Sequence, residues 1–97
     1  MAQFLITYDN KAPRNYTALY RLMATWGAVR LSESVWLAKL AGPAGTVRDI
    51  VLSTMQRDDL VTVVELKQGA DWAVTQNTSP AAMAWLSNNV RPSQAAA

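Results

Sequence analysis

Asp9 closes a run of β-forming residues, Phe4-Leu5-Ile6-Thr7-Tyr8, and the basic residues Lys11 and Arg14 follow it within a few positions. A carboxylate at the carboxyl end of a buried strand, with cations in the next loop, is where α/β proteins often hold a ligand or a metal ion. A hard divalent cation such as Mg2+ or Mn2+ takes oxygen ligands, keeps several waters and often uses only one or two protein carboxylates. Metal-assisted hydrolysis of a phosphodiester is the chemistry open to such a site. Asp9 also reads as a turn residue, because the pair Asp9-Asn10 favours a turn through local side-chain bonds. The sequence supports both readings of Asp9.

Other chemistries are closed. The chain has no cysteine and no histidine, which excludes disulfides, thiolate sites, an imidazole base and an ordinary zinc site. Catalysis must then rest on carboxylates, a hard metal, lysine, tyrosine or serine. Ser34 and Tyr8 fall near the same strand edge, but neither has a visible activating base, and each reads as a sheet residue with a satisfied hydroxyl. Nine basic and seven acidic residues give a net charge of +2, which permits nucleic-acid binding without demanding it. A two-fold dimer would double any basic patch it brings together. The absence of cysteine fits a reducing cytoplasm. The N-terminus lacks the basic and then apolar pattern of a signal peptide, and no apolar run approaches the ~20 residues that span a bilayer, so no membrane role is expected.

The elements that must position these residues follow from periodicity. Phe4 to Tyr8 is a strand buried on one or both faces. Pro13 ends the extended segment and Asn15 is a candidate N-cap for a helix in which Tyr16, Leu19, Tyr20, Met23 and Trp26 share a face. Gly27 marks its C-terminal stop. Ala28 to Leu31 and Ser34 to Leu40 read as two strands joined around Ser32-Glu33, or as one bent strand with a bulge. Gly42-Pro43-Ala44-Gly45 is a loop, and Thr46 with Asp49 forms a capping-box-like start to a second helix facing inward through Val47, Ile50, Val51 and Met55 or Thr54. Asp58-Asp59 turns into a valine-rich strand, Leu60 to Lys67. Gly69 breaks it, and Trp72 to Thr75 is a further short strand. Ser79 as N-cap and Pro80 at the first position start a last helix to Val90, with Met83, Leu86 and Val90 on one face and Trp85 beside them.

The order is βαββαβ with an extra short strand and a C-terminal helix, an α+β chain of ferredoxin-like type with helices packed on an antiparallel sheet. Residues 1 to 90 form one domain in this reading, and residues 91 to 97 a disordered tail.

Tyr8-Asp9, the helix ending in Trp26-Gly27, then Val29-Arg30-Leu31 and Ser34-Val35-Trp36 resemble the CRISPR-associated protein 2 superfamily, in particular its uncharacterised relatives outside CRISPR loci. Val47-Arg48-Asp49-Ile50, Asp58-Asp59-Leu60-Val61 and Gly69-Ala70-Asp71-Trp72-Ala73 extend the resemblance over about residues 3 to 74. The resemblance implies a homodimer with two Asp9 carboxylates facing each other across the axis around a divalent ion, and a metal-dependent ribonuclease or deoxyribonuclease activity. Some members of that family act without catalysis, as a dimeric scaffold between integrase subunits, so an integrase-like protein partner is also implied. Lys11, Arg14 and Arg30 lie nearest to the family's phosphate-contacting region and are the expected contacts to RNA or DNA. The chain departs from the family pattern at Asn10, where an apolar residue is usual, in a loop whose paired arginines are reduced to Lys11 and Arg14, and in the added C-terminal helix.

The four tryptophans read as core or subunit interface, or alternatively as stacking platforms for bases. A dimer interface is expected to use Val63, Trp36 and Trp72, with the valine-rich strand covered by Trp72 to Thr75 of a partner chain. A non-catalytic dimeric adaptor for another protein is the competing functional reading, since a ferredoxin-like fold alone decides nothing about function.

Overall fold

Alternation along the first strand sends Phe4, Ile6 and Tyr8 into a core on one side, while Gln3, Leu5 and Thr7 are half-buried on the other. The structure is a computed structural model that describes residues 1–9 and 16–92. The strand is β1 (Ala2–Asp9), and α1 (Thr17–Thr25), β2 (Val29–Ser32), β3 (Val35–Leu40), α2 (Ala44–Leu52), β4 (Leu60–Leu66) and α3 (Pro80–Asn89) follow. The strands form one four-stranded antiparallel sheet in the order β2-β3-β1-β4. The chain is therefore α+β. Among the described residues no helix is long and apolar enough to cross a membrane.

α1 and α2 cover one face. Leu19 and Met23 of α1 and Val47 and Val51 of α2, each pair four residues apart, are buried against Phe4, Ile6, Tyr8, Ala38 and Leu40. α1 ends in a Schellman arrangement: the Ala28 amide donates to the Met23 carbonyl and the Gly27 amide to the Ala24 carbonyl. Gly27 sits at φ +64, the left-handed region that the motif requires at this position. The expected N-cap Asn15 lies outside the described residues. The expected capping box of Thr46 and Asp49 does not form. α2 begins three residues earlier, at Ala44, with Pro43 in place of Thr46 as N-cap and the Pro43 carbonyl accepting from the Thr46 and Val47 amides. Asp49 instead pairs with Arg48 at 3.0 Å on the solvent side, a contact of little energetic weight.

α3 covers part of the opposite face. Ala82, Leu86 and Val90, spaced four apart, are buried with Leu37, and Leu5, Val29, Leu31 and Leu66 pack around them. Ser79 is the N-cap as expected, its hydroxyl accepting from the Ala82 amide, with Pro80 following. The inward residue is Ala82 rather than Met83, which stays half-buried, because a stripe at i, i+4, i+8 through Leu86 and Val90 excludes it.

Two expectations fail around this helix. Trp72 to Thr75 is not a strand. Burial does alternate there, with Ala70, Trp72 and Val74 turned toward α3, but the segment has no ladder partner. It is held by the end of α3 instead: the Gly69 amide donates to the Val90 carbonyl at 2.7 Å and the Trp72 indole to the Arg91 carbonyl at 2.7 Å. Arg91 therefore belongs to the packed structure and not to a tail. Its amide donates to Leu86 and its guanidinium lies 3.7 Å from Asp71. Residues 93–97 lie outside the described residues.

Because Leu86 anchors α3 to the sheet, Leu86→Ala is expected to destabilise the protein by about 2–5 kcal/mol in urea unfolding. Ala84→Ser on the exposed side of the same helix should stay within about 0.5 kcal/mol of the parent. Equal midpoints for the two variants would mean that α3 contributes nothing to the core.

Candidate functional site

The carboxyl end of β1 meets the start of α1 and the turn between β2 and β3. Tyr8 and Asp9 come from the strand, Tyr16 and Tyr20 from successive turns at the start of α1, and Arg30 from β2, with Glu33 and Ser34 in the turn. Together they line a cavity of about 220 Å³. All three tyrosines of the chain converge here.

Local sequence explains the convergence. Tyr8 is the last inward-facing residue of β1, and Tyr16 and Tyr20 are four apart, so they stack on one helix flank at 5.5 Å. The β2–β3 pairing slips between Arg30 and Ser32, a bulge that joins a two-residue turn at Glu33-Ser34. The turn folds the Glu33 carbonyl back onto Arg30, where it accepts from Nε at 3.2 Å and from Nη2 at 2.6 Å. The Ser34 carbonyl accepts from the Tyr8 amide at 3.3 Å, which ties the turn to β1.

The aromatic groups form a closed circuit. Tyr8 and Tyr16 have ring centroids 5.8 Å apart, and Tyr20 and Trp36 6.1 Å apart, with the Tyr16–Tyr20 stack between the two pairs. The Trp36 indole N–H donates to the Tyr8 hydroxyl at 3.3 Å and completes the circuit. Arg30 lies against it, its Cζ 5.2 Å from the Tyr20 centroid and 5.4 Å from that of Trp36, within the range of cation–π attraction. Arg30 Nη2 also donates to the Tyr20 hydroxyl at 3.2 Å. The guanidinium is thus held in place before any ligand arrives.

Burial pushes the Tyr8 phenol above its ordinary pKa, with the indole hydrogen bond from Trp36 acting in the opposite sense. Asp9 is exposed at the rim and makes no ion pair among the described residues. Among the described residues no three His, Cys, Asp or Glu side chains gather where they could hold a metal ion.

Of the residues expected to act together, Asp9 and Arg30 line the same cavity. Lys11 and Arg14 lie outside the described residues. Val63 and Trp36 are both register partners of Ile6 and so form one row across the α1–α2 face, half-buried within their own chain. Trp72 is on the opposite face under α3, so the three residues named for an interface do not form one patch. Three contributors went unrecognised in the sequence. Tyr16 and Tyr20 carry the same helical spacing as core residues, and Glu33 acts through its backbone carbonyl, which no residue type announces. The gathering of every tyrosine within the segment from β1 to α1 was the available signal.

The raised phenol sets an expected pH dependence. The fold favours neutral Tyr8, so its contribution is complete below the pKa of an unfolded tyrosine, about 10, and is lost as pH rises through the higher folded value. Tyr8→Phe should therefore cost about 0.5–1.5 kcal/mol at neutral pH, for the lost hydrogen bond, and show a shallower loss of stability in alkaline urea titrations than the parent. Parallel curves for the two proteins would exclude the buried-phenol account.

No protein-family model, curated protein or solved structure matches this chain.

Proposed function

We propose that the chain binds nucleic acid as a homodimer of ferredoxin-like protomers, in the manner implied by its resemblance to the CRISPR-associated protein 2 superfamily. The observation that carries this reading is the shared cavity of Asp9 and Arg30 at the end of β1, walled by aromatic rings. A fixed guanidinium beside exposed aromatic edges is a combination that contacts phosphate and bases alike. The strand order β2-β3-β1-β4, with α1 and α2 on one face, supports the ferredoxin-like assignment.

The dimer is supported by the open edge of β4. Leu60 is 53% and Val64 47% exposed on the sheet face that α3 leaves uncovered, and among the described residues β4 pairs only with β1. A seven-residue edge strand with exposed apolar side chains invites pairing with a further chain. In this proposal the Asp9 carboxylates of two protomers would hold Mg2+ or Mn2+, which would supply the Lewis acidity for hydrolysis of an RNA or DNA phosphodiester. One Asp9 per chain is thin for a metal site in a monomer, and a second copy supplies a second carboxylate.

The second reading is a non-catalytic dimeric adaptor that contacts an integrase-like or other protein, and the exposed Leu60 and Val64 favour it. One substitution separates the two. If paired Asp9 carboxylates share a metal, Asp9→Asn abolishes metal-dependent cleavage, keeps the dimer, and removes most of the metal-induced rise in melting temperature. The adaptor reading expects no cleavage by either protein and no metal shift in either melting curve. Undiminished cleavage by Asp9→Asn excludes the metal mechanism.

Sedimentation at micromolar concentration should give twice the chain mass, and Val64→Lys should shift the equilibrium toward the monomer by placing a charge on the open β4 face. A monomeric parent protein would remove the paired-Asp9 site altogether.

A further inference from the structure

The cavity at the end of β1 has a composition that narrows what nucleic acid it can take. Among the described residues that line it, Arg30 is the cation, with the carboxylate residues Asp9 and Glu33 beside it. Arg30 and Asp9 line the cavity without forming an ion pair, which leaves each able to bond a third molecule. Arg30 is pinned through Nε and Nη2, and Nη1 takes part in none of its hydrogen bonds. The Tyr8 hydroxyl accepts from Trp36 and retains its own proton to donate. The ligand must therefore accept from a guanidinium and a phenol, donate to a carboxylate, and be flat enough for aromatic walls. The volume, about 220 Å³, equals that of about seven waters, the scale of one two-ring base and not of a base pair.

We propose that the cavity takes one unstacked guanine of a single strand. Guanine presents adjacent N1–H and N2–H donors, which a carboxylate accepts, and O6 and N7 acceptors, one of which can accept from the free Nη1 of Arg30. Its ring stacks on tyrosine or on the guanidinium plane, as bases splayed from single strands do. Arg30 reads the acceptor edge, and the rim carboxylates of Asp9 and Glu33 read the donor edge. In a duplex the N1–H and N2–H edge is already paired, so double-stranded nucleic acid does not enter. This inference rests on the nucleic-acid reading above and adds the strand state and the base.

The test is fluorescence anisotropy in EDTA, which keeps any metal chemistry out of the binding signal. Labelled eight-residue oligothymidylate and oligouridylate strands, each with one central guanine, are compared with versions carrying adenine, cytosine, inosine or no substitution, with the guanine strand in duplex form, and with free GMP as competitor. Guanine should bind about tenfold or more tightly than the unsubstituted strand, with inosine losing most of that advantage because it lacks the N2 amino group. The duplex should show no guanine preference. The double variant Asp9→Asn/Glu33→Gln and, separately, Arg30→Lys should reduce the preference to less than threefold. Equal binding of all single strands, or a preference that survives the double variant, overturns the guanine pocket and leaves the nucleic-acid reading standing. No binding to any strand overturns both. GMP competing as strongly as the guanine-bearing strand overturns the single-strand assignment, because the cavity would then serve a free nucleotide.

Discussion

β1 is buried from both sides by different parts of the chain, and the arrangement of everything else follows from that constraint. Its inward residues on one side, Phe4, Ile6 and Tyr8, require the cover of α1 and α2, and Leu5 on the other shares an apolar cluster with Leu37 and α3. Its neighbours β3 and β4 satisfy its backbone on both edges. Asp9, where the strand stops, is the one residue of β1 that is exposed. The same alternation makes Tyr8 the last buried group before it, so the strand delivers a buried phenol and an exposed carboxylate side by side.

The site next to them is organised more by packing than by ion pairing. Arg30 is positioned by one carbonyl, one hydroxyl and two ring faces, none of which neutralises its charge. A guanidinium held in this way loses little rotamer freedom when a ligand binds, since the ordering has already occurred on folding. The tyrosines serve both as the outer layer of the core and as the wall of the cavity. Tyr20 shows the compromise: it is 39% exposed on a helix whose neighbouring inward residues, Leu19 and Met23, are fully buried.

α3 changes how the sheet can meet other chains. It and the segment holding Trp72 cover the β2–β3 side of the open face, and the β4 side remains uncovered with Leu60 and Val64 on it. The polar clasp from Gly69 and Trp72 to the end of α3 closes this cover within a single chain. Among the described residues, one flank of the face and the β4 edge are left without cover.

By itself the sequence determined the local structure. The alternation of β1, the four-residue spacing in α1, Gly27 as the stop of that helix, and the Ser79-Pro80 start of α3 were legible because each depends on neighbours within one or two turns of chain. It also determined that any catalysis would lack histidine and cysteine. Only the tertiary structure decided which elements meet. The start of α2 at Pro43 turned on a backbone carbonyl, and Trp72 to Thr75 carried a strand's alternation yet found α3 instead of a sheet edge. The union of Asp9 with Arg30 depended on a bulge and a turn between residues distant in the chain from β1. Periodicity records which face of an element is apolar, but the partner for that face is chosen by the competition of all other faces for the same core, and no local window of sequence contains that competition.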